Sequence, residues 1–378
     1  MKNKSGKRKR LLPSQSATVD TLNDFPDEIL THILSLLPCK DAFRTTVLSK
    51  RWVSLCHSLS TLNINDEGVN NSEDWIYFRR LMDKVMLSPL AQRLTLKSLS
   101  LSCWSELWEE EADGCLSFDN WLEAAKLRGM ERLYLHLLNV PLAPTIFCCK
   151  TLLRLYLTNL TTSISVGSMV HCSVDLPLLE TLFVFNIFFE DTKDFTKLLL
   201  GCPKLEYLAI DRVNANAGVP EGGYFKHLSK LILACISLFN VPFKAVYNVK
   251  YLTVCEIGKS LPNKEINSFD TVFENLTKLQ TLNIAKAKNS TTIEHWEYPD
   301  HVPECVSSHL TKFEVIDYEA CEADFRFATY ILQNARLLQV MTIHHTLHPN
   351  PMESPQFLEN LSSCPRMSPT CKLNLSSS

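Results

Sequence analysis

The sequence predicts an α/β chain in two parts: a short N-terminal unit of three helices, then an irregular solenoid whose short parallel strands line a concave face. Three observations carry that prediction. Residues 25–59 place apolar side chains at helical spacing, broken by Pro38. From residue 91 onward the pattern apolar-x-x-Leu-x-apolar keeps returning. The 378 residues are 46% apolar and 21% charged with only 10 glycines, which suits packed domains and not a low-complexity polymer.

Asp24 is a helix-capping residue, with Pro26 near the first turn and Asp27 and Glu28 at the positive end of the helix dipole. Ile29, Leu30, Ile33, Leu34, Leu36 and Leu37 follow in a stripe wider than one buried helix face needs, and Pro38 ends the helix. A second helix begins at Lys40–Asp41 and carries Phe43, Val47 and Leu48. Ser49 caps a third that holds Trp52, Val53, Leu55 and Leu59. A unit of about 35 residues is close to the lower limit for independent folding. Two short neighbours leave part of the stripe uncovered, so it docks either on the rest of the chain or on another protein.

The order FPDEILTHILSLLPCKDAFRTTVLSKRWVSL, starting at Phe25, resembles the F-box of plant F-box proteins. It has the Pro-Asp start, the Ile-Leu-x-x-Ile-Leu-Ser-x-Leu-Pro run, Lys40-Asp41-Ala42, Arg44 to Ser49, and Lys50-Arg51-Trp52. It departs at Phe25, where that family usually has Leu, and at Cys56, where it usually has a second Trp; Cys56 is expected to loosen packing toward the next domain. The resemblance implies binding to a Skp-type adaptor and through it to a cullin. By position it implies contacts from Phe25, Pro26, Ile29, Leu30, Ile33, Leu36, Leu37, Val47, Leu48 and Trp52. About half of these serve instead to hold the three helices together on the plainer reading, Trp52 foremost.

The recurring pattern stands at 91–96 (AQRLTL), 130–135, 152–157, 179–184, 205–210, 228–233 (LSKLIL), 249–254 and 279–284, with weaker copies at 310–315 and 338–343. Successive copies from 130 start 22, 27, 26, 23, 21, 30, 31 and 28 residues apart. That period is the signature of leucine-rich repeats. Leu-x-Leu alternation makes a short strand with one buried face, and a single repeat buries its leucines only against its neighbours. The outward positions then line a concave surface: Arg132, Tyr134, Arg154, Tyr156, Thr181, Phe183, Tyr207, Lys230, Tyr251, Thr253, Thr281 and Asn283. Arg132, Tyr134, Arg154, Tyr156, Phe183, Tyr207 and Tyr251 are the candidate anchors for a target, aromatic and arginine side chains being favoured at interfaces. Cross-strand aromatic pairs that only stabilise a ladder are the competing reading. The acidic WSELWEEEADG at 104–114 reads as a solvated loop inserted between early repeats.

Residues 294–343, with Trp296, Val302-Pro303-x-Cys305 and the helix from Phe325, resemble the FBD found near the end of plant F-box proteins, and read as a cap shielding the last repeat's leucines. The expected organisation is a disordered basic tail at 1–19, an F-box at 20–66, repeats at 67–293, an FBD-like cap at 294–365 and a flexible tail at 366–378.

Net charge is −3, yet the first ten residues hold six lysines and arginines and no acid, which leaves −9 on the remainder. Nucleic-acid binding rests on neutralising phosphates, so no nucleic-acid partner is expected of such a body. The most apolar stretch, 182–189, is far shorter than the roughly 20 residues of a membrane span, so no membrane partner is expected either. The start lacks the apolar core of a secretory signal. Fourteen cysteines without a C-x-x-C, several in apolar strand text such as Cys202, Cys235 and Cys255, read as buried thiols of a reducing compartment. Lys7-Arg8-Lys9-Arg10 fits a nuclear-import signal, and the expected location is nucleus and/or cytoplasm.

Catalytic signatures are missing: no phosphate-binding glycine loop and no G-x-S-x-G elbow. His344, His345 and His348 lack an acidic or cysteine partner for a metal in the sequence, and Cys148-Cys149 sits in core-like text. No catalytic residue, metal or cofactor is expected. The resemblance implies a non-catalytic substrate receptor of a Skp–cullin–F-box ubiquitin ligase. The other readings are a leucine-rich-repeat scaffold without a ligase role, and a sensor holding a small ligand on its concave face.

Overall fold

The structure, a computed structural model, describes residues 22–105, 114–138, 144–159, 173–189, 192–212, 214–215, 228–237, 245–257, 273, 276–286, 301–318, 322–345 and 354–377. The chain divides into two compact units at Leu59/Ser60. The expected basic tail, the import-signal residues, most of the acidic 104–114 segment and His348 lie outside the described residues.

The first unit holds α1 (Asp27–Ser35), α2 (Cys39–Arg44) and α3 (Lys50–His57). Helix α1 begins one residue after Pro26, and Asp24 sits in a short 3-10 turn instead of capping it. Pro38 marks the start of α2, its backbone (φ −53°, ψ 142°) already extended, so the second helix opens at Cys39, one residue before the expected Lys40. Leu30 and Leu34 face inward with Ala42, Phe43, Trp52, Leu55 and Cys56. Cys56 is fully buried, and its thiol donates to the Ala42 carbonyl at 3.1 Å. It therefore fills a place between α2 and α3, where a thiol fits and finds an acceptor.

Among the described residues, the second unit holds a parallel sheet of twelve strands. In chain order its elements are β1 (Thr61–Asn65), α4 (Ser72–Leu87), α5 (Pro89–Gln92), β2 (Ser98–Cys103), α6 (Gly114–Leu127), β3 (Arg132–Leu137), β4 (Arg154–Thr158) and β5 (Thr181–Phe185). There follow β6 (Phe188–Phe189), α7 (Thr192–Leu200), β7 (Tyr207–Asp211), β8 (Asn214–Ala215), β9 (Leu233–Ser237), β10 (Tyr251–Ile257) and β11 (Thr281–Lys286). The last are α8 (Glu304–Ser308), β12 (Lys312–Tyr318), α9 (Glu322–Asn334), β13 (Val340–His345), α10 (Ser354–Ser363) and β14 (Lys372–Ser377). The sheet runs in chain order from β1 to β14, with β6 and β8 set aside as a separate two-stranded pair.

Register explains why the leucines recur. Leu133, Leu155, Leu182 and Leu208 are mutual neighbours on β3, β4, β5 and β7, and all are buried. Leu135, Leu157, Val184 and Ile210 form the next buried row. A strand places alternate side chains on opposite faces, so one face is stacked leucine and the other stays open. Gly129, at φ 77°, turns the chain out of α6 toward β3 in a conformation that costs glycine nothing.

Five expectations change. The copy placed at 228–233 belongs at 231–236: Leu233 pairs with Tyr251, and Ala234 and Ile236 take the buried positions. Lys230 is thus an exposed turn residue and not part of the open face. Likewise the copy placed at 91–96 belongs at 96–101, since Leu96, Leu99 and Leu101 are buried at the inner positions of β2 and its approach. Residues 61–65, expected in the helical unit, form the first strand of the sheet. Residues 372–377, expected to be a flexible end, pair with β13 along its length. The expected cap also acts in another way: β12, β13 and β14 cover β11 by prolonging the same parallel sheet.

The described cysteines are free thiols. Burial pushes the Cys202 and Cys305 thiols up to about 12 from an ordinary value of 9.0. Their unfolded forms ionise near 9 and their folded forms near 12, so the stability they hold is complete below pH 9 and is lost as pH rises toward 12. The expected result is a urea midpoint that falls above pH 9, each such thiol adding a slope of at most about 1.4 kcal/mol per pH unit. A midpoint flat from pH 8 to 11 contradicts it. Cys235 and Cys255 face the open side, half-buried, with their sulfurs 3.6 Å apart. That hydrogen bond lowers the Cys235 thiol, against the opposing effects of burial and Asp211. These two were read as core thiols; their strand positions alternate with the buried Ala234, Ile236, Leu252 and Val254.

Candidate functional site

Helix α1 carries two apolar stripes. Leu30 and Leu34, four apart, point into the unit, whereas Ile29, Ile33, Leu36 and Leu37 fall on the other side and are exposed. Leu36 is 72% exposed, Val47 86% and Leu48 56%, against 0% for Leu30 and 4% for Trp52. Phe25 and Pro26 are exposed as well. Leu22, which the sequence reading passed over because it precedes the motif, is also exposed. Of the ten residues assigned to adaptor contact, Leu30 and Trp52 thus sit inside the helical unit and the other eight at its surface. The surface is held in shape by Arg51, whose Nε donates to Asp27 Oδ1 at 2.8 Å and whose Nη2 donates to the Phe25 carbonyl at 2.7 Å. A single fork thereby ties the start of α1 to α3. The exposed apolar side chains between residues 22 and 48 are more than scattered surface leucines account for, which is the usual mark of a protein-binding face.

The second candidate surface is the open face of the sheet, where outward side chains line up in rows. Arg132, Arg154, Thr181, Tyr207, Leu233 and Tyr251 share one row by strand register. Tyr134, Tyr156, Phe183, Ala209 and Cys235 share the next. All seven candidate target anchors stand in these two rows. Tyr134 stacks on Tyr156 with ring centroids 4.5 Å apart and 18° between planes, and Tyr156 meets Phe183 at 5.8 Å. The ladder stops at β5 because Ala209 offers no ring. Tyr207 and Tyr251 are exposed but lie outside it, separated by Leu233.

A third row, one alternation further along each strand, escaped the sequence reading. It holds His136, Thr158, Phe185 and Asp211. Period-two alternation carried two residues past Tyr134 and Phe183 would have found it. Phe185 stacks on Phe183 at 6.4 Å, and the Arg212 guanidinium lies 5.4 Å from the Phe185 ring centre. Burial lowers the His136 imidazole below its ordinary value, which favours the neutral ring. Asn159 Nδ2 donates to its Nε2 at 2.9 Å, and its Nδ1 lies 2.8 Å from Thr158 Oγ1, whose own hydrogen goes to the Leu135 carbonyl. Asn186 Nδ2 donates in turn to Asn159 Oδ1 at 3.1 Å. Asn159 and Asn186 both have left-handed backbone, φ 57° and 53°, which asparagine adopts at little cost.

At the β1 end, the exposed Trp104 ring lies 3.9 Å from His136. It edges an open cavity of about 750 Å³ lined by Asn63, Asn65, Asp66 and Ser102 among others. Asp66 is buried, and its Oδ2 accepts from the Trp104 and Ser105 backbone N–H groups, at 2.9 and 2.7 Å. That carboxylate fixes the chain that carries Trp104.

Among the described residues no group of three or more His, Cys, Asp or Glu is placed to hold a metal, and no helix is long and apolar enough to cross a membrane. His344 has an acidic neighbour the sequence did not reveal: its Nε2 lies 2.8 Å from Glu314 Oε1 on the adjacent strand, and its Nδ1 lies 2.8 Å from Ser376 Oγ.

The chain thus has two parts, a three-helix module with an exposed apolar surface and a parallel solenoid of leucine-rich strands. The comparisons agree with that architecture. Residues 22–63 match the F-box domain model, residues 118–219 the model for the LRR repeats of FBD-associated F-box protein At5g56370, and residues 297–343 the FBD model. FBD-associated F-box protein At3g52670 of Arabidopsis thaliana is 27% identical over 94% of this chain and 97% of its own length. F-box/FBD/LRR-repeat protein At4g26340 of the same plant is 24% identical over 85% of this chain and 91% of its own. F-box/LRR-repeat protein At1g06630 reaches 32% over 51% of this chain, a match that spans about half (48%) of that relative. The chain thus carries an F-box domain, leucine-rich repeats and an FBD, and its relatives over most of its length are FBD-associated F-box/LRR proteins of Arabidopsis thaliana.

Proposed function

We propose that this chain is a substrate-recognition subunit of a Skp–cullin–F-box ubiquitin ligase. Its F-box takes a Skp-type adaptor, and through it a cullin, while the open face of the repeats takes a target protein. The observation that carries the reading is the row of apolar side chains left uncovered on a folded F-box, Ile29, Ile33, Leu36, Leu37, Val47 and Leu48. An adaptor interface of standard size, roughly 1,600 Å² in total, suits such a surface. The mechanism is proximity: the chain supplies no bond-making side chain, and it raises the target's local concentration beside a charged ubiquitin carrier. F-box/LRR proteins are typically non-catalytic receptors, and the same role in nucleus and/or cytoplasm is proposed here.

The full chain co-expressed with a plant Skp-type adaptor is expected to elute from size exclusion as a one-to-one complex that recruits cullin. A chain that elutes alone at micromolar concentration of both proteins rejects the ligase reading and leaves the repeat scaffold.

A further inference from the structure

We propose that the target segment bound on the open face is an extended acidic stretch of polypeptide, with Asp or Glu side chains next to an aromatic or leucine side chain. This inference rests on the substrate-receptor reading and names the chemistry of its target.

Arg132 and Arg154 are direct neighbours on β3 and β4. Like charges opposite each other in a sheet weaken it, so the pair is a cost to the fold. Nothing in the sheet offsets that cost: among the described residues neither arginine forms an ion pair, although Lys97 close by is matched with Glu131 at 3.5 Å. Two unmatched guanidinium forks on a body of net negative charge form a local attractor for carboxylates. Beside them runs the stacked Tyr134–Tyr156–Phe183 ladder, whose half-exposed rings offer flat apolar area already fixed in place. Ordered rings lose little entropy on binding, which favours them as anchors.

At the far side Arg212 stands next to Asp211, so no net positive charge gathers there. Arg212 follows β7 at φ 50°, the left-handed place that Asn159 and Asn186 fill just after the two preceding strands of the sheet. Arginine there is strained, and it carries its charge over Phe185. The like-charge crowding of Arg132 and Arg154 is relieved when a carboxylate binds between them. Geometry agrees: side chains two apart on an extended peptide are about 6.8 Å from each other, and strands about 4.8 Å, a mismatch that long arginine side chains bridge. Asp211 sets the direction, since it stands at the β7 end of the face and repels an acid there. The acids therefore sit over β3 and β4, with the apolar residue on the ladder.

The test is fluorescence anisotropy of the full chain, with adaptor if it co-purifies, against the labelled peptide GSEFELSGS. The comparison peptides carry Gln or Lys in place of both Glu residues, Ala in place of Phe and Leu, or phosphoserine in place of both Glu residues. Expected are at least ten-fold weaker binding of the Gln peptide, weakening of the Glu peptide between 0.05 and 0.5 M salt, and no binding of the Lys peptide. Arg132→Glu with Arg154→Glu should reverse the Glu-over-Lys preference. Arg132→Gln with Arg154→Gln should abolish it, so that a folding defect in one variant does not decide the matter. Tyr134→Ala with Tyr156→Ala should remove the advantage of Phe and Leu and leave the salt dependence. Equal binding of Glu and Gln peptides, an unaffected arginine variant, or capture of the phosphoserine peptide alone overturns the inference. Each of these outcomes is independent of adaptor binding: a chain that holds adaptor but shows no acidic preference loses this inference alone. A chain with the preference but no adaptor loses the ligase reading alone.

Discussion

Leu36→Asp combined with Leu48→Asp is expected to abolish co-elution with a Skp-type adaptor, weakening affinity at least 100-fold while the thermal midpoint moves by no more than a degree or two. Both side chains are more than half exposed, so neither carboxylate enters the core of the F-box unit. In a complex each would be buried against an apolar partner. An unpaired polar or charged group buried in that way costs about 1–3 kcal/mol or more, and 2.7 kcal/mol is a factor of about 100. Position matters for the test. Leu30→Asp would also stop binding, but Leu30 is fully buried beside Leu34, so that change unfolds the module and reports nothing about the surface. Leu34→Ala gives the matched opposite, with a loss of about 2–5 kcal/mol of module stability and no direct change in the exposed face. A double-Asp chain that still elutes with adaptor, at unchanged stability, places the contact elsewhere.

How far this surface could be read from sequence depends on particular residues. The excess width of the α1 stripe was visible, because Ile29, Ile33 and Leu36 repeat at three and four just as Leu30 and Leu34 do. Which of the two stripes faces inward was not visible. Both are helical, both are aliphatic, and the choice is made by where Trp52, Leu55 and Phe43 arrive from the other helices. The proline at 38 was likewise legible as a break, yet it serves the next helix more than the one before it.

The sheet was legible from β3 to β7 and at β10 and β11, where leucine holds the first inner position, and it slipped at β2, where Leu94 and Leu96 mimic the spacing of Leu99 and Leu101. It failed at β9, where Ala234 occupies a leucine's place and Leu228, Leu231 and Leu233 upstream carry the stronger leucine spacing. It failed at β14 for a different reason: the strand is the last in the stack, Leu375 has a neighbour on one side only and is 38% exposed, and a half-exposed alternation of polar and apolar text resembles a tail. The rows of the open face depend on register, which no single strand encodes. Tyr134, Tyr156 and Phe183 become a stack only because each loop returns the chain at the same height, set by bonds such as Arg154 N to Glu131 O and Thr181 N to Leu153 O, both at 3.1 Å. That is a property of neighbours, and it is the reason a candidate list can be right in its residues and silent on their contacts.

Trp121→Ala is expected to cost roughly 3–5 kcal/mol in the repeat unit, the range for truncating a fully buried large aromatic. Trp121 on α6 lies 5.3 Å from Phe118 and 6.3 Å from Phe78, and Trp75 closes the cluster at 5.5 Å from Phe78 and 6.0 Å from Phe118. The cluster joins α4 to α6, the two long helices beside the first three strands. Solenoid stability is a sum over neighbouring repeats, so a break there releases the β1–β3 end and leaves β9 to β14 paired. Urea unfolding followed by hydrogen exchange is therefore expected to show early loss of protection in β1–β3 and near-normal protection at β12 and β13. The two tryptophans also differ in a way that separates packing from hydrogen bonding. Trp121 Nε1 donates to Asp83 Oδ1 at 2.8 Å, whereas Trp75 Nε1 is buried with no acceptor among the described residues. Phenylalanine at either place leaves a similar gap, but at 121 it also strands the Asp83 carboxylate, and at 75 it removes an unpaired donor. Trp121→Phe should accordingly cost about 1 kcal/mol more than Trp75→Phe. Equal costs would mean that the Asp83 bond contributes nothing. An unchanged midpoint in Trp121→Ala would mean that the cluster does not join the first repeats to the sheet.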